Sequence, residues 1–155
     1  MMSAQELEIL GEVVLAMVLG AVLGLEREFA DKPAGIRTHM LVTGSAALLV
    51  GLGFMLVESS LVEMRQQVIA ADPIRIVQAI IIGVSFLGTG TIFRAERDDT
   101  VHGLTTAASL LMASGIGVAV ALKQIGLAVA TTVAVAIVLR VLGWVEQAFR
   151  QRRAR

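Results

Sequence analysis

The feature that most limits what this chain can become is a series of long apolar runs separated by short charged segments. A helix rises about 1.5 Å per residue and a bilayer's hydrocarbon core is about 30 Å thick, so roughly 20 apolar residues cross it. Five segments meet or nearly meet that length: Ile9 to Leu25, Met40 to Val57, Ile74 to Phe93, Leu104 to Leu122 and Ile125 to Trp144. The last two are parted only by Lys123 and Gln124. This predicts a tight antiparallel hairpin, because a single helix over both would be about twice the length a bilayer accommodates. Of the 155 residues 56% are hydrophobic and 17% charged, against about 45–50% and about a quarter in soluble domains. So small a core cannot hide that much apolar surface from water. The expected architecture is all-α: a polytopic membrane helix bundle of five transmembrane helices, in one domain over residues 1–155.

The polar minority excludes several function classes. Thirteen basic and 13 acidic residues cancel, which argues against a nucleic-acid binder that relies on a basic surface. Five Phe, one Trp and no Tyr are too few for a stacking platform. The lack of cysteine excludes disulfides, thiolate metal sites and cysteine nucleophiles.

Charge placement predicts sidedness. With five spans the termini lie on opposite sides. If the carboxyl terminus is inside, the inner segments hold Arg27, Lys32, Arg37, Arg94, Arg97 and the arginines of the tail, leaving Arg65, Arg75 and Lys123 outside. The positive-inside rule therefore places the amino terminus outside and the carboxyl terminus in the cytoplasm, with Trp144 as an interfacial anchor. The amino terminus carries Glu6 and Glu8 and no basic residue, so the first span is expected to be retained rather than cleaved as a signal. The outer segment Glu58 to Pro73 reads as a short amphipathic surface helix, followed by Asp72 as cap and Pro73 as the first residue of span three.

Small residues recur at four-residue spacing: Ala16, Gly20 and Gly24, then Ala47 and Gly51, then Ala113, Gly117 and Ala121. Such ridges allow close helix contact, within the chain or between copies. Gly83, Gly88, Thr89, Gly90 and Thr91 predict a bent or unwound end to span three.

Candidate site residues gather at the inner face. Glu26, Arg27 and Glu28 leave span one; Arg37, Thr38 and His39 enter span two after a Pro-Ala-Gly turn; Arg94, His102, Thr105 and Thr106 belong to the second inner loop. A cross-loop ion network of Arg37, Arg94, Glu26 and Glu28 is one reading, and snorkelling arginines that merely mark sidedness are the plainer one. Thr105 and Thr106, at a helix N-terminus, suit either capping or a small anion site. His39 and His102 have no preset ligand spacing, so hydrogen bonding is favoured over metal binding, and whether any metal binds stays open. Pairing Ser109 with a histidine as a nucleophile finds no support in a nucleophile-elbow motif. Within the spans, Glu12, Arg75 and Gln78 lie in the outer half, and a Glu12–Arg75 pair is expected from their similar depth. Arg140 lies near the inner end of span five.

Three stretches resemble the MgtC/SapB family: GLEREFADKPAGIRTHMLV from Gly24, DPIRIVQAIIIGVSFLGTGTIF from Asp72, and HGLTTAASLLMASGIG from His102. The resemblance implies a five-span membrane domain in the bacterial inner membrane, without the soluble carboxyl-terminal domain that many members carry. It also implies a link to magnesium limitation, acid stress and survival of pathogens in macrophages, with members acting as modulators of other membrane systems such as ATP synthase and cation transport. The family pattern falls on Glu26, Arg27, Glu28, Pro33, Gly35, Arg37, Thr38, Asp72, Arg75, Gln78, Gly88, Gly90 and Gly103 through Ala107. It departs at His102, where the family usually has Arg, and at Leu111, where Trp is common.

Two functions follow as expectations. The first is a non-enzymatic modulator, needing no cofactor, whose inner face binds a membrane protein partner, an ion or an anionic metabolite. The second is a small oligomeric transporter or channel for Mg²⁺ or protons, motivated by Glu12, Gln78 and the Gly-rich third span. Besides the lipid bilayer, a homo-oligomer is the expected assembly. An intramembrane enzyme would need a nucleophile and a base at one depth, and no such pair is evident from the sequence.

Overall fold

The structure, a computed structural model, describes residues 2–63, 73–94 and 101–153. Five helices follow one another: α1 (Ala4–Phe29), α2 (Ile36–Glu63), α3 (Pro73–Thr91), α4 (Leu104–Ala121) and α5 (Ile125–Arg153). Among the described residues four stretches are long and apolar enough to cross a membrane, Ala4–Phe29, Ile36–Glu58, Pro73–Thr91 and Leu104–Ala121, and α5 adds the shorter apolar run Ile125–Val141.

Each helix boundary has a local cause. α1 starts at Ala4, ahead of the apolar run, because Ser3 and Glu6 form a capping box: the Ser3 hydroxyl accepts from Glu6 N–H, and the Glu6 carboxylate accepts from Ser3 N–H. α2 continues through Glu63 instead of ending near Val57. The expected surface helix and the Asp72 cap fall largely or wholly outside the described residues, while α3 does begin at Pro73. The Gly-rich end of α3 stays helical to Thr91, against the unwinding expected there. The Thr89 hydroxyl donates to the Ser85 carbonyl and that of Thr91 to the Gly88 carbonyl, so both polar groups are spent on the helix itself.

The bundle is all-α as expected, with one small addition. Between α3 and α4 two short strands, β1 (Phe93–Arg94) and β2 (Val101–His102), pair antiparallel with Phe93 opposite His102 and Arg94 opposite Val101. Gly103 then turns the chain into α4 at φ +89°, and a Cβ there would stand 1.9 Å from the Thr91 carbonyl oxygen. Only glycine meets both demands, so it fixes the start of α4 against the end of α3.

The small-residue ridges are spent inside the chain. A Cβ at Gly20 would lie 2.5 Å from Thr43 Oγ1, one at Gly24 2.4 Å from Ile36 Cα, and one at Gly117 2.1 Å from the Thr43 carbonyl oxygen. These positions let α1, α2 and α4 meet at backbone distance, which is how helices gain packing energy where lipid removes the hydrophobic drive. The core is Ala16, Leu19, Leu23, Ala46, Ala47, Val50, Leu110, Ala113, Ile116 and Val120. α3 packs chiefly on α4 and α5 on α4 and α1, and both keep exposed apolar faces, with Phe86 80% accessible. In water such faces would aggregate, whereas in a bilayer they are ordinary. The molecule is a multi-pass membrane protein.

Candidate functional site

Two ends of the bundle carry its polar groups. At one end lie the start of α1, the α4–α5 turn and the facing ends of α2 and α3. There Lys123, held at φ +60°, places its ammonium against both Glu12 and Glu8, and Gln5 donates to Glu58 at 2.9 Å. Glu12 therefore pairs with Lys123 and not with Arg75. The reason is rotation: α1 packs against α2, α4 and α5, which turns buried Glu12 toward the α4–α5 turn. The paired Glu12 and Glu8 carboxylates hold the pKa of Lys123 above the ordinary lysine value. Arg75 and Gln78 are exposed on α3 at this end.

The opposite end holds the α1–α2 turn and the β1–β2 hairpin. Arg27 continues the buried face of α1 that runs through Ala16, Gly20, Leu23 and Gly24, and it is only 3% exposed. A snorkelling arginine would reach solvent, so the plainer expectation fails here. Its nearest carboxylate is Glu26, whose Oε2 lies 3.7 Å from Arg27 Nε; neither atom has a hydrogen-bond partner. At that separation the two attract as charges without sharing a hydrogen. A buried pair of this kind gains less from its attraction than a well-bonded one and costs desolvation on both sides.

Glu28 has a separate task. Its Oε2 accepts from Ile36 N–H at 3.1 Å, so the carboxylate caps the positive end of α2 across the turn. A Cβ on Gly35 would fall 1.8 Å from that oxygen, which explains glycine before Ile36. The cross-loop network does not form among the described residues: Glu28 is engaged by α2, Arg37 is exposed and joins no ion pair there, and the Arg94 side chain lies outside the description.

His39 is completely buried one turn into α2. Its Nδ1 lies 3.0 Å from the Gly35 carbonyl and its Nε2 3.1 Å from Ser109 Oγ on α4. A carbonyl only accepts, so Nδ1 carries a proton. The Ser109 hydroxyl also lies 2.8 Å from the Thr106 carbonyl, and it has one proton to give. Given to Nε2, it leaves a neutral ring; given to Thr106, it requires Nε2 to donate and the ring to be an imidazolium. The hydroxyl's direction is thus tied to the charge on His39. Glu26 and Arg27 lie close enough to act electrostatically on that ring, and the Thr43 hydroxyl, packed against Gly20, donates to the His39 carbonyl at 2.7 Å.

The His39–Ser109 pair corrects the expectation that no nucleophile and base share a depth. Its geometry is that of a hydroxyl beside a base, yet Ser109 is only 2% exposed and the ring is sealed, so a substrate carbonyl has no approach to it. The two threonines at the start of α4 part company: Thr106 is buried and Thr105 exposed, and the two hydroxyls do not converge on one anion site. Thr38 is half-buried beside exposed Arg37, and His102 is half-buried in β2. Among the described residues no three His, Asp or Glu side chains gather closely enough to hold a metal ion.

Between the two ends the core is apolar. Among the described residues the buried hydroxyls of Ser114 and Thr132 are the exceptions there, and they donate to the Leu111 and Ala128 carbonyls of their own helices.

Comparison with known proteins matches the MgtC family model over residues 13–148. Protein SapB of Bacillus subtilis (strain 168) is 33% identical over 138 residues, 89% of this chain and 58% of that protein. Protein MgtC of Salmonella typhimurium (strain LT2) is 37% identical over 121 residues, 78% of this chain and 46% of that protein. A protein of Escherichia coli (strain K12) named putative magnesium transporter YhiD is 32% identical over 137 residues, 86% of this chain and 60% of its own length. The chain thus spans about half to three fifths of the length of these relatives. No solved structure matches it.

Proposed function

The chain belongs to the MgtC family, and from that membership we propose that it is a non-enzymatic modulator of other membrane systems in bacterial adaptation to low magnesium or acid, resident in the inner membrane. The end bearing the α1–α2 turn faces the cytoplasm and docks a membrane protein partner. The observation that carries this reading is the apolar middle of the bundle. Among the described residues, charged groups are confined to the two ends, and Leu19, Leu23, Leu110, Ala113, Ile116 and Val120 fill the space between them. A conducting protomer needs polar groups along its path, and among the described residues the buried hydroxyls between the ends, Ser114 and Thr132, are each bonded to their own helix. A docking protein needs a fixed platform with an exposed polar rim. Glu28, Gly35, His39 and Ser109 lock the platform, and Arg37 and Thr105 stand exposed beside it.

Co-purification tests the reading. A partner complex captured from native membranes is expected to fall at least fivefold in yield with Arg37→Ala, and undiminished yield would remove this face as the docking surface. The second reading, an oligomeric carrier of Mg²⁺ or protons, draws on the name given to the Escherichia coli relative and on the Glu12–Lys123–Glu8 cluster. It requires the path to run between copies. Proteoliposomes that pass Mg²⁺ or protons above the empty-liposome rate, in a manner lost with Glu12→Gln, would favour it over docking.

A further inference from the structure

Near the end that carries Lys123, α2 and α3 come into close contact at Gly53, where a Cβ would stand 2.2 Å from Ile76 Cδ1. Beside that contact lies a groove of about 630 Å³, walled by Leu49, Leu52 and Leu56 of α2 and by Ile76 and Ala79 of α3, with Arg75 the one charged residue on its wall among the described residues. The leucines recur at three- and four-residue spacing and so share one face of α2, where among the described residues each stays at least 43% exposed. Arg75 is the third residue of α3, about 3 Å along the axis from its start, which places its charge at the depth of the membrane interface. None of the ion pairs among the described residues uses it.

We propose that this groove holds an acyl chain of one phospholipid whose phosphodiester rests on the Arg75 guanidinium. Apolar walls of this kind do not retain water, and leaving them uncovered forfeits dispersion contacts along their whole length. The occupant must therefore be apolar and must end in an anion at the height of Arg75. A phospholipid supplies both in one molecule, and guanidinium with phosphate forms a strong, charge-assisted hydrogen-bonded pair. The positive end of the α3 dipole lies beside the same charge and adds to the attraction. A helix from a second copy would instead bury the arginine and would have to bring a carboxylate to meet it.

Native mass spectrometry of the detergent-purified protein with added phosphatidylglycerol tests the site. The expected result is one retained lipid per protomer, reduced about tenfold by Arg75→Gln and likewise by Ala79→Trp, which fills the groove from the α3 wall. Arg75→Lys is expected to recover part of the retention, and Arg140→Gln, removing an exposed cation on α5, to change nothing. Thermal melts of each variant confirm that it is folded. Retention unchanged by both Arg75→Gln and Ala79→Trp would overturn the proposal. So would equal losses with Arg75→Gln and Arg140→Gln, or a lipid-free dimer that Ala79→Trp dissociates.

Discussion

At the scale of single residues the protein depends on a few positions where nothing larger or less polar would serve. Gly20 sits against the Thr43 hydroxyl and the His39 carbonyl, with 2.5 and 2.6 Å left for a Cβ. Gly20→Ala should lower stability by about 1–3 kcal/mol through overpacking. Gly83→Ala, at a position with open space around it, should be neutral or raise stability by up to about 1 kcal/mol through helix propensity. Unfolding in detergent micelles compares the two. The buried Arg27–Glu26 pair makes a different prediction. Arg27→Met alone strands a largely buried carboxylate and should cost about 3 kcal/mol, whereas Glu26→Gln with Arg27→Met should return to within about 1 kcal/mol of the native protein or exceed it. If the double variant is as unstable as the single one, the pair has hydrogen bonds that its geometry does not show. Little of this was legible beforehand. His39 and Ser109 are 70 positions apart, and their meeting could be read only from the fact that each lies about a turn inside a helix starting at the same end. Arg27 resembled a snorkelling residue because an arginine at a span's end usually is one; its phase on the buried face of α1, four residues beyond Leu23, was the signal that it is not.

At the scale of elements the spans were readable and their edges were not. Apolar length alone located all five helices, because the cost of an unsatisfied backbone in lipid leaves helix as the only local solution. The edges depend on short-range chemistry that hydropathy ignores: the Ser3–Glu6 box draws α1 outward to Ala4, and the Thr89 and Thr91 hydroxyls are satisfied on α3 itself, which stays helical through its glycines. The β1–β2 hairpin, two residues per strand, is too short to leave a periodicity. The α4–α5 turn gives this scale its prediction. Lys123 has its pKa raised by the Glu12 and Glu8 carboxylates, so its ion pairs stabilise the fold while it is protonated, fully so below its unfolded pKa. That stabilisation is lost as pH rises through the raised folded value. Lys123→Gln should melt at a lower temperature than the native protein at neutral pH, and the gap should close in strongly alkaline buffer. Because the lysine is exposed, salt should narrow the gap as well. A gap constant up to high pH would mean that the turn's left-handed backbone, and not the ion pairs, sets the difference.

For the whole molecule, the neutral charge total conceals two separated polar ends joined by an apolar core. One end ties the start of α1 to the α4–α5 turn. The other buries a charged pair and a histidine beneath an exposed rim, the proposed docking surface. The most direct measurement is site-specific photo-crosslinking in living bacteria, with the photoreactive residue placed in turn at Arg37, Thr105 and Gln124. Docking at the rim predicts discrete adducts with another membrane protein at Arg37 and Thr105 and none at Gln124. Adducts confined to Gln124, or only products the size of two copies of this chain at all three positions, would contradict it.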